Sequence, residues 1–424
     1  MFKSYLALAA FCLAVMLAGP PARAAEARPT GVRVELTDEM GPVFADPLGK
    51  TLYVWAGDRK PGESLCTSAR HTHARGAGSV SYELPEPHKR PACAQIWPPF
   101  LAPADAKPVG AWSVIGREGG ASQWAYKGKP LYTYVQDAQP GEINGMDGAS
   151  GRSLAGRYPA WAPLDAPSGV AAGNTAAGRV LMTERGAVLY YQKPGGVTKA
   201  GFCQAECLTA WKPLTAPAVI RPPRGWSVID LKDGRRQWAY RGKALYTYAG
   251  DVAFGALNGR DAPGWDALVL QAPLPPPADL TVQVTGDGEV YGDGAGLTLY
   301  SWGCGDEGPD RALCDIPGTT QTYRLSICGA PATCIATWRP VIAPQGAKPV
   351  GRTWSIVSVD PTGAEQYAAP GRTDGLKVWA YRGRPVYTYA GDKAPGDING
   401  QMITSGIIWG YGMIRADGNM RRGF

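Results

Sequence analysis

One stretch constrains this chain more than any other, because the chain repeats it. Residues 124–145 read WAYKGKPLYTYVQDAQPGEING, and the pattern returns as WAYRGKALYTYAGDVAFGALNG from Trp238 and WAYRGRPVYTYAGDKAPGDING from Trp379. Each copy is two aromatic-rich runs around a Lys-Gly or Arg-Gly dipeptide, then an Asp, then a loop ending in Asn-Gly. Aromatic and β-branched residues alternating on both sides of a tight Gly turn predict a β-hairpin.

Aligning the Asp exposes further copies. Gly49, Leu52, Tyr53 and Asp58 repeat the spacing of Gly128, Leu131, Tyr132 and Asp137, and the same Tyr-x4-Asp spacing joins Tyr246 to Asp251 and Tyr387 to Asp392. A fifth copy ends at Asp306 with one extra residue after Tyr300, and a sixth, after Tyr190, has Gly195 in place of the Asp. A Trp follows each unit, usually with Pro two residues on, as in Trp97-Pro-Pro, Trp161-Ala-Pro, Trp211-Lys-Pro and Trp338-Arg-Pro. Half of the units place a Cys four residues before that Trp: Cys93, Cys207 and Cys334. The units therefore alternate, and two make one larger repeat. Three such pairs fill residues 28–165, 178–272 and 280–413, with a Pro-rich spacer at Gln271-Ala-Pro-Leu-Pro-Pro-Pro. The expected architecture is all-β: three tandem β-domains, each a pair of three-stranded hairpin units. A six-bladed propeller-like ring is the alternative that a period of this length allows.

The 56 Gly, 38 Pro, 14 Trp and 20 Tyr suit many short strands and tight turns. Residues 1–24 have the form of a secretory signal: Lys3, an apolar core from Tyr5 to Leu17, and Ala22-Arg23-Ala24 as the cleavage site. Its removal takes Lys3 and Arg23 and lowers the formal net charge from +7 to +5. No apolar run long enough to span a membrane follows, and no Lys/Arg cluster interleaved with aromatics suggests nucleic acid. The chain is expected to be periplasmic or secreted and soluble after cleavage near Ala24.

The combination of Tyr-x4-Asp, as in LYVWAGD, LYTYVQD, LYTYAGD and VYTYAGD, with Cys-x3-Trp-x-Pro resembles the bacterial secreted-repeat family known for that Tyr-x4-Asp motif, many members of which are predicted lipoproteins. The resemblance spans nearly the whole mature chain. It implies an extracytoplasmic location and paired repeats, and it brings no established catalytic activity. No Cys stands where lipid attachment would require one.

Four groups of residues are candidates for chemistry. Asp58, Asp137, Asp251 and Asp392, with Tyr53, Tyr132, Tyr246 and Tyr387, form the repeat motif. The Asp side chains are expected to accept loop N–H groups while Gly and Asn supply positive φ; a calcium loop from Asp137, Glu142, Asn144 and Asp147 is the sharper reading. The eight cysteines of an exported chain predict disulfides, paired by position in the unit as Cys66–Cys93, Cys203–Cys207, Cys314–Cys334 and Cys304–Cys328. All three histidines, His71, His73 and His88, lie between Cys66 and Cys93, where an i, i+2 pair on an extended segment could chelate a metal against the opposition of Arg70, Arg75, Lys89 and Arg90. The alternating aromatics divide into a core set and an outward set able to stack on a glycan or a protein. No cofactor, phosphate loop, Ser/His/Asp order or paired carboxylates are visible. These readings make the chain a non-enzymatic binding or scaffolding module of the cell envelope whose partner is an envelope protein or glycan. A metal-handling protein using the His loop and an enzyme with a site between domains are the competing classes.

Overall fold

The computed structural model describes residues 27–55, 57–68, 73–75, 81–83, 92–146, 157–194, 203, 206–286, 288–303, 330–363, 367–369, 371–401 and 410–416. The fold is all-β. Its strands form nine small antiparallel sheets of two to six strands, and none of these closes into a ring among the described residues.

The hairpin arises where the sequence places it. In the first pair the strand Trp112–Gly116 pairs with Ser122–Tyr126, which turns at Lys127-Gly128 into Lys129–Pro130. The turn has φ of 50° at Lys127 and 76° at Gly128; Arg241-Gly242 (47°, 78°) and Arg382-Gly383 (50°, 75°) repeat it. Two successive positive φ values define a type I′ turn, whose twist matches that of the flanking strands. Alternation then sends Trp112, Trp124 and Tyr126 inward onto Phe44, Leu52 and Leu131. Trp226 and Trp238 pack onto Leu181, Leu189 and Leu245 in the second pair, and Trp354 and Trp379 onto Tyr291, Leu299 and Val386 in the third.

The spacing Cys-x3-Trp is one turn of helix. The short helices Cys93–Ile96, Cys207–Ala210 and Pro331–Thr337 each end as the Trp N–H donates to the carbonyl of that Cys. The chain then passes directly into a strand. Trp211–Pro213 pairs with Tyr246–Tyr248, and Trp338–Pro340 pairs with Arg384–Tyr389. The Pro of Cys-x3-Trp-x-Pro lies opposite the motif tyrosine each time: Pro99 on Tyr132, Pro213 on Tyr246 and Pro340 on Tyr387.

The two units of a pair are not neighbouring blades. Their motif tyrosines are direct cross-strand partners: Tyr53 with Tyr132, Tyr190 with Tyr246 and Tyr300 with Tyr387. The pair is thus one interlocked body, with the repeated motif at its centre.

Candidate functional site

The motif tyrosines are all buried: Tyr53, Tyr132, Tyr190, Tyr246, Tyr300 and Tyr387 are each no more than 2 % exposed. Their hydroxyls do not bond to the Asp that follows them in sequence. Tyr53 donates to Asp137 Oδ2 at 2.7 Å, and Tyr132 donates to Asp58 Oδ2 at 2.8 Å. The bonds are reciprocal, each unit supplying the phenol for the other's carboxylate. Tyr190 reaches Asp251 at 2.6 Å and Tyr300 reaches Asp392 at 2.8 Å in the other pairs. Tyr246 belongs to the pair that lost one Asp, and its hydroxyl instead accepts the N–H of Cys203 at 3.3 Å. Asp306, the expected acceptor for Tyr387, lies outside the described residues.

The other carboxylate oxygen closes the loop that follows. Oδ1 accepts the backbone N–H seven residues on: Leu65 to Asp58 (2.9 Å), Asn144 to Asp137 (2.9 Å), Asn258 to Asp251 (2.8 Å) and Asn399 to Asp392 (2.9 Å). The Asn side chain returns a bond from Nδ2 to the carbonyl of Gln136, Gly250 or Gly391. Within the loop the positive φ falls on Gly141, Gly255 and Gly396 and not on the Asn-Gly step. The glycine of that step is needed for close approach. A Cβ on Gly145 would lie 2.7 Å from Trp97 and 2.9 Å from Tyr134, and Gly259 and Gly400 meet the equivalent rings as closely. The Trp of Cys-x3-Trp fills this corner. Trp97 packs edge-on to Tyr53 (5.4 Å) and stacks on Tyr134 (4.5 Å); Trp211 and Trp338 make the same two contacts with Tyr190 and Tyr248, and with Tyr300 and Tyr389.

Burial pushes the Asp137 carboxyl up to about 8, against the downward pull of the Tyr53 hydroxyl and the Asn144 N–H. Burial likewise raises Asp251 and Asp392. Burial, and next the charge of Asp137, hold the Tyr53 phenol well above its ordinary range, so it remains the donor. A raised carboxyl is a common mark of general-acid chemistry. Here the group is buried and both oxygens are engaged with the chain itself.

The residues of the calcium-loop reading are placed as follows. Asp137 is taken up as above, Glu142 Oε2 accepts the N–H groups of Ala138 (2.6 Å) and Gln139 (3.1 Å), and Asp147 lies outside the described residues. Disulfides join Cys66 to Cys93 and Cys203 to Cys207, with Cα separations of 5.2 and 5.4 Å. Cys334 is also disulfide-bonded, while Cys304, Cys314 and Cys328 lie outside the described residues. His73–Arg75 is a strand paired with Ser81–Glu83; His71 and His88 lie outside the described residues, and no group of three or more metal-ligating side chains occurs among those described.

A second constellation gave no sequence signal. The loop Thr37–Gly41 of the first pair is held by both other pairs. Glu39, 9 % exposed, takes the Tyr381 hydroxyl at 2.8 Å and the Arg382 Nε and Nη2 at 3.0 and 2.7 Å. From the second pair Arg179 donates to the Met40 carbonyl and Gln271 to those of Thr37 and Asp38, and from the strand Val170–Thr175, which pairs with Gly178–Thr183, Asn174 donates to the Glu39 carbonyl. The partners are more than 130 residues apart in sequence, and Arg382 occupies the turn position that the solvent-exposed Arg241 and Lys127 occupy elsewhere.

Three stretches, residues 113–149, 227–267 and 370–404, match the profile of a family described as a secreted repeat of unknown function. Each match falls on the second unit of a pair and takes in its Asp loop; the first two begin within the strands Trp112–Gly116 and Trp226–Asp230, and the third begins six residues ahead of the strand Leu376–Tyr381. No curated protein and no solved structure matches the chain. No helix among the described residues is long and apolar enough to cross a membrane.

Proposed function

We propose that this chain, which carries three copies of the secreted repeat of unknown function, is an exported, non-enzymatic module that binds or scaffolds a protein or glycan of the cell envelope. The observation that carries this reading is the fate of the motif. Its phenols, buried at the centre of each pair, and its carboxylates, buried at Asp58, Asp137 and Asp392 and half-buried at Asp251, are spent on one another and on their own loops. A motif so enclosed explains how a repeat is built and leaves recognition to what varies around it. Surface loops on a rigid β scaffold are a common place for binding residues. The export signal and the family matches agree with action outside the cytoplasm.

Cross-linking the full chain in its native envelope, followed by purification and mass spectrometry, tests this reading. The expected result is a reproducible adduct with one envelope component that survives Asp137→Asn. A chain recovered only as an unattached species, or a purified protein that turns over a substrate and loses turnover on Asp137→Asn while still folded, contradicts it.

A further inference from the structure

A cleft of about 560 Å³ lies where the Asp137–Gly145 loop of the first pair faces the Trp354–Val359 strand of the third. Its lining departs from the repeat at positions where the other copies are simpler. Gln136 stands where the second and third pairs have Gly250 and Gly391. At those glycines a Cβ would come within 2.5 and 2.3 Å of the preceding tyrosine ring, whereas the Tyr134 hydroxyl donates to Gln136 Oε1 at 3.2 Å. Glu142 stands where the others have Ala256 and Asp397. Asp397 closes its loop with one oxygen, accepting Lys393 and Ala394 N–H, as Glu142 does through Oε2. Glu142 therefore keeps Oε1 in reserve at a residue only 8 % exposed. Tyr367 comes from the connection between Trp354–Val359 and Leu376–Tyr381, which is longer than the turns Arg117–Ala121 and Leu231–Arg235 that replace it elsewhere, and its hydroxyl donates to the Gly383 carbonyl at 3.1 Å.

The chemistry of the lining is specific in kind. Gln136 Nε2, Glu142 Oε1, Asn144 Oδ1 and the hydroxyls of Ser355 and Ser358 have no hydrogen-bond partner among the described residues, although all five residues line the cleft. They offer an amide donor, amide and carboxylate acceptors, and two groups that do either. That set complements a ligand presenting several hydroxyls, each both donor and acceptor. None of the lining residues is basic, and the Glu142 carboxylate opposes an anion. Val357, Ala368 and the Tyr367 ring add apolar surface for C–H faces.

We propose that this cleft is a saccharide site that takes about one or two uncharged sugar units, a size within the usual range for ligand clefts. It rests on the reading of the chain as an envelope-binding module and names the ligand class. The test is titration of the full chain with N,N′-diacetylchitobiose and with maltose, followed by calorimetry and saturation-transfer NMR, with glucuronic acid as the anionic comparison. Two variants accompany it: Gln136→Gly, which restores the residue of the other pairs, and Ser355→Trp, which fills the cleft from a partly exposed strand position. The expected result is saturable binding of at least one neutral disaccharide, weakened at least about tenfold in both variants, with glucuronic acid bound more weakly. Absence of binding by both disaccharides, binding indifferent to both variants, or equal binding of glucuronic acid overturns it. If the envelope adduct persists while saccharide binding fails, the cleft alone is refuted. Loss of both refutes the wider reading.

Discussion

At the scale of single residues, the central fact is that one Asp does two jobs from two oxygens. Asp137 binds the phenol of the other unit through Oδ2 and its own loop through Oδ1, and it does so while buried. Its carboxyl is held up to about 8, so the folded state binds a proton that the unfolded chain releases near pH 4. Between roughly pH 4 and pH 8 the folded form then carries more protons than the unfolded form, and stability falls as pH rises by up to about 1.4 kcal/mol per pH unit from this group. Urea unfolding at pH 5 and pH 8 is expected to show the protein more stable at pH 5, with the pH-dependent difference reduced in Asp137→Asn; an unchanged pH profile in the variant would assign the dependence elsewhere. The glycine of the Asn-Gly step gives a second residue-scale prediction. Gly145→Ala forces its Cβ against Trp97 and Tyr134, and this overpacking is expected to cost about 1–3 kcal/mol in chemical denaturation. A neutral result would mean that the two rings move apart freely.

At the scale of elements, the hairpin is the part most legible in sequence. The aromatic alternation and the Lys-Gly or Arg-Gly dipeptide placed strands and turn correctly because both signals are local. Gly242 isolates the turn, since a Cβ there meets nothing within 4 Å and only its φ of 78° is at stake. Gly242→Val is expected to lower stability by about 1–2 kcal/mol, read from the denaturant midpoint; a midpoint equal to the wild type would mean the turn relaxes to another type. The Cys-x3-Trp spacing was legible as a pattern but not as a helical turn that aims the Trp at two tyrosines. The Asn-Gly step misled, because Asn-Gly usually marks positive φ whereas here the glycine answers a ring packed against it. Which Asp each Tyr binds was hidden as well. Sequence order couples Tyr53 to Asp58, but interlocking of the strands couples it to Asp137, 84 residues away.

At the scale of the whole molecule, the division into three pairs follows from the repeat, while the contacts that join them do not. The buried Glu39–Arg382 ion pair with Tyr381 ties the first pair to the third, and the same loop carries the bonds from the second. No periodicity announces these contacts, since each is unique to one copy of a repeated position. Removing one partner of a buried ion pair leaves the other charge uncompensated, so Glu39→Ala is expected to cost about 3–5 kcal/mol or to uncouple the pairs into separate transitions in calorimetry. A single transition at the wild-type temperature would show that the contact contributes little. The Tyr-x4-Asp motif is a clasp between units and not a site within one. A double-mutant cycle in urea with Tyr53→Phe and Asp137→Asn, set beside the same cycle with Tyr53→Phe and Asp58→Asn, tests it most directly. A coupling of about 0.5–3 kcal/mol is expected between Tyr53 and Asp137 and a clearly smaller one between Tyr53 and Asp58. Additive effects in the first cycle, or stronger coupling in the second, would contradict it.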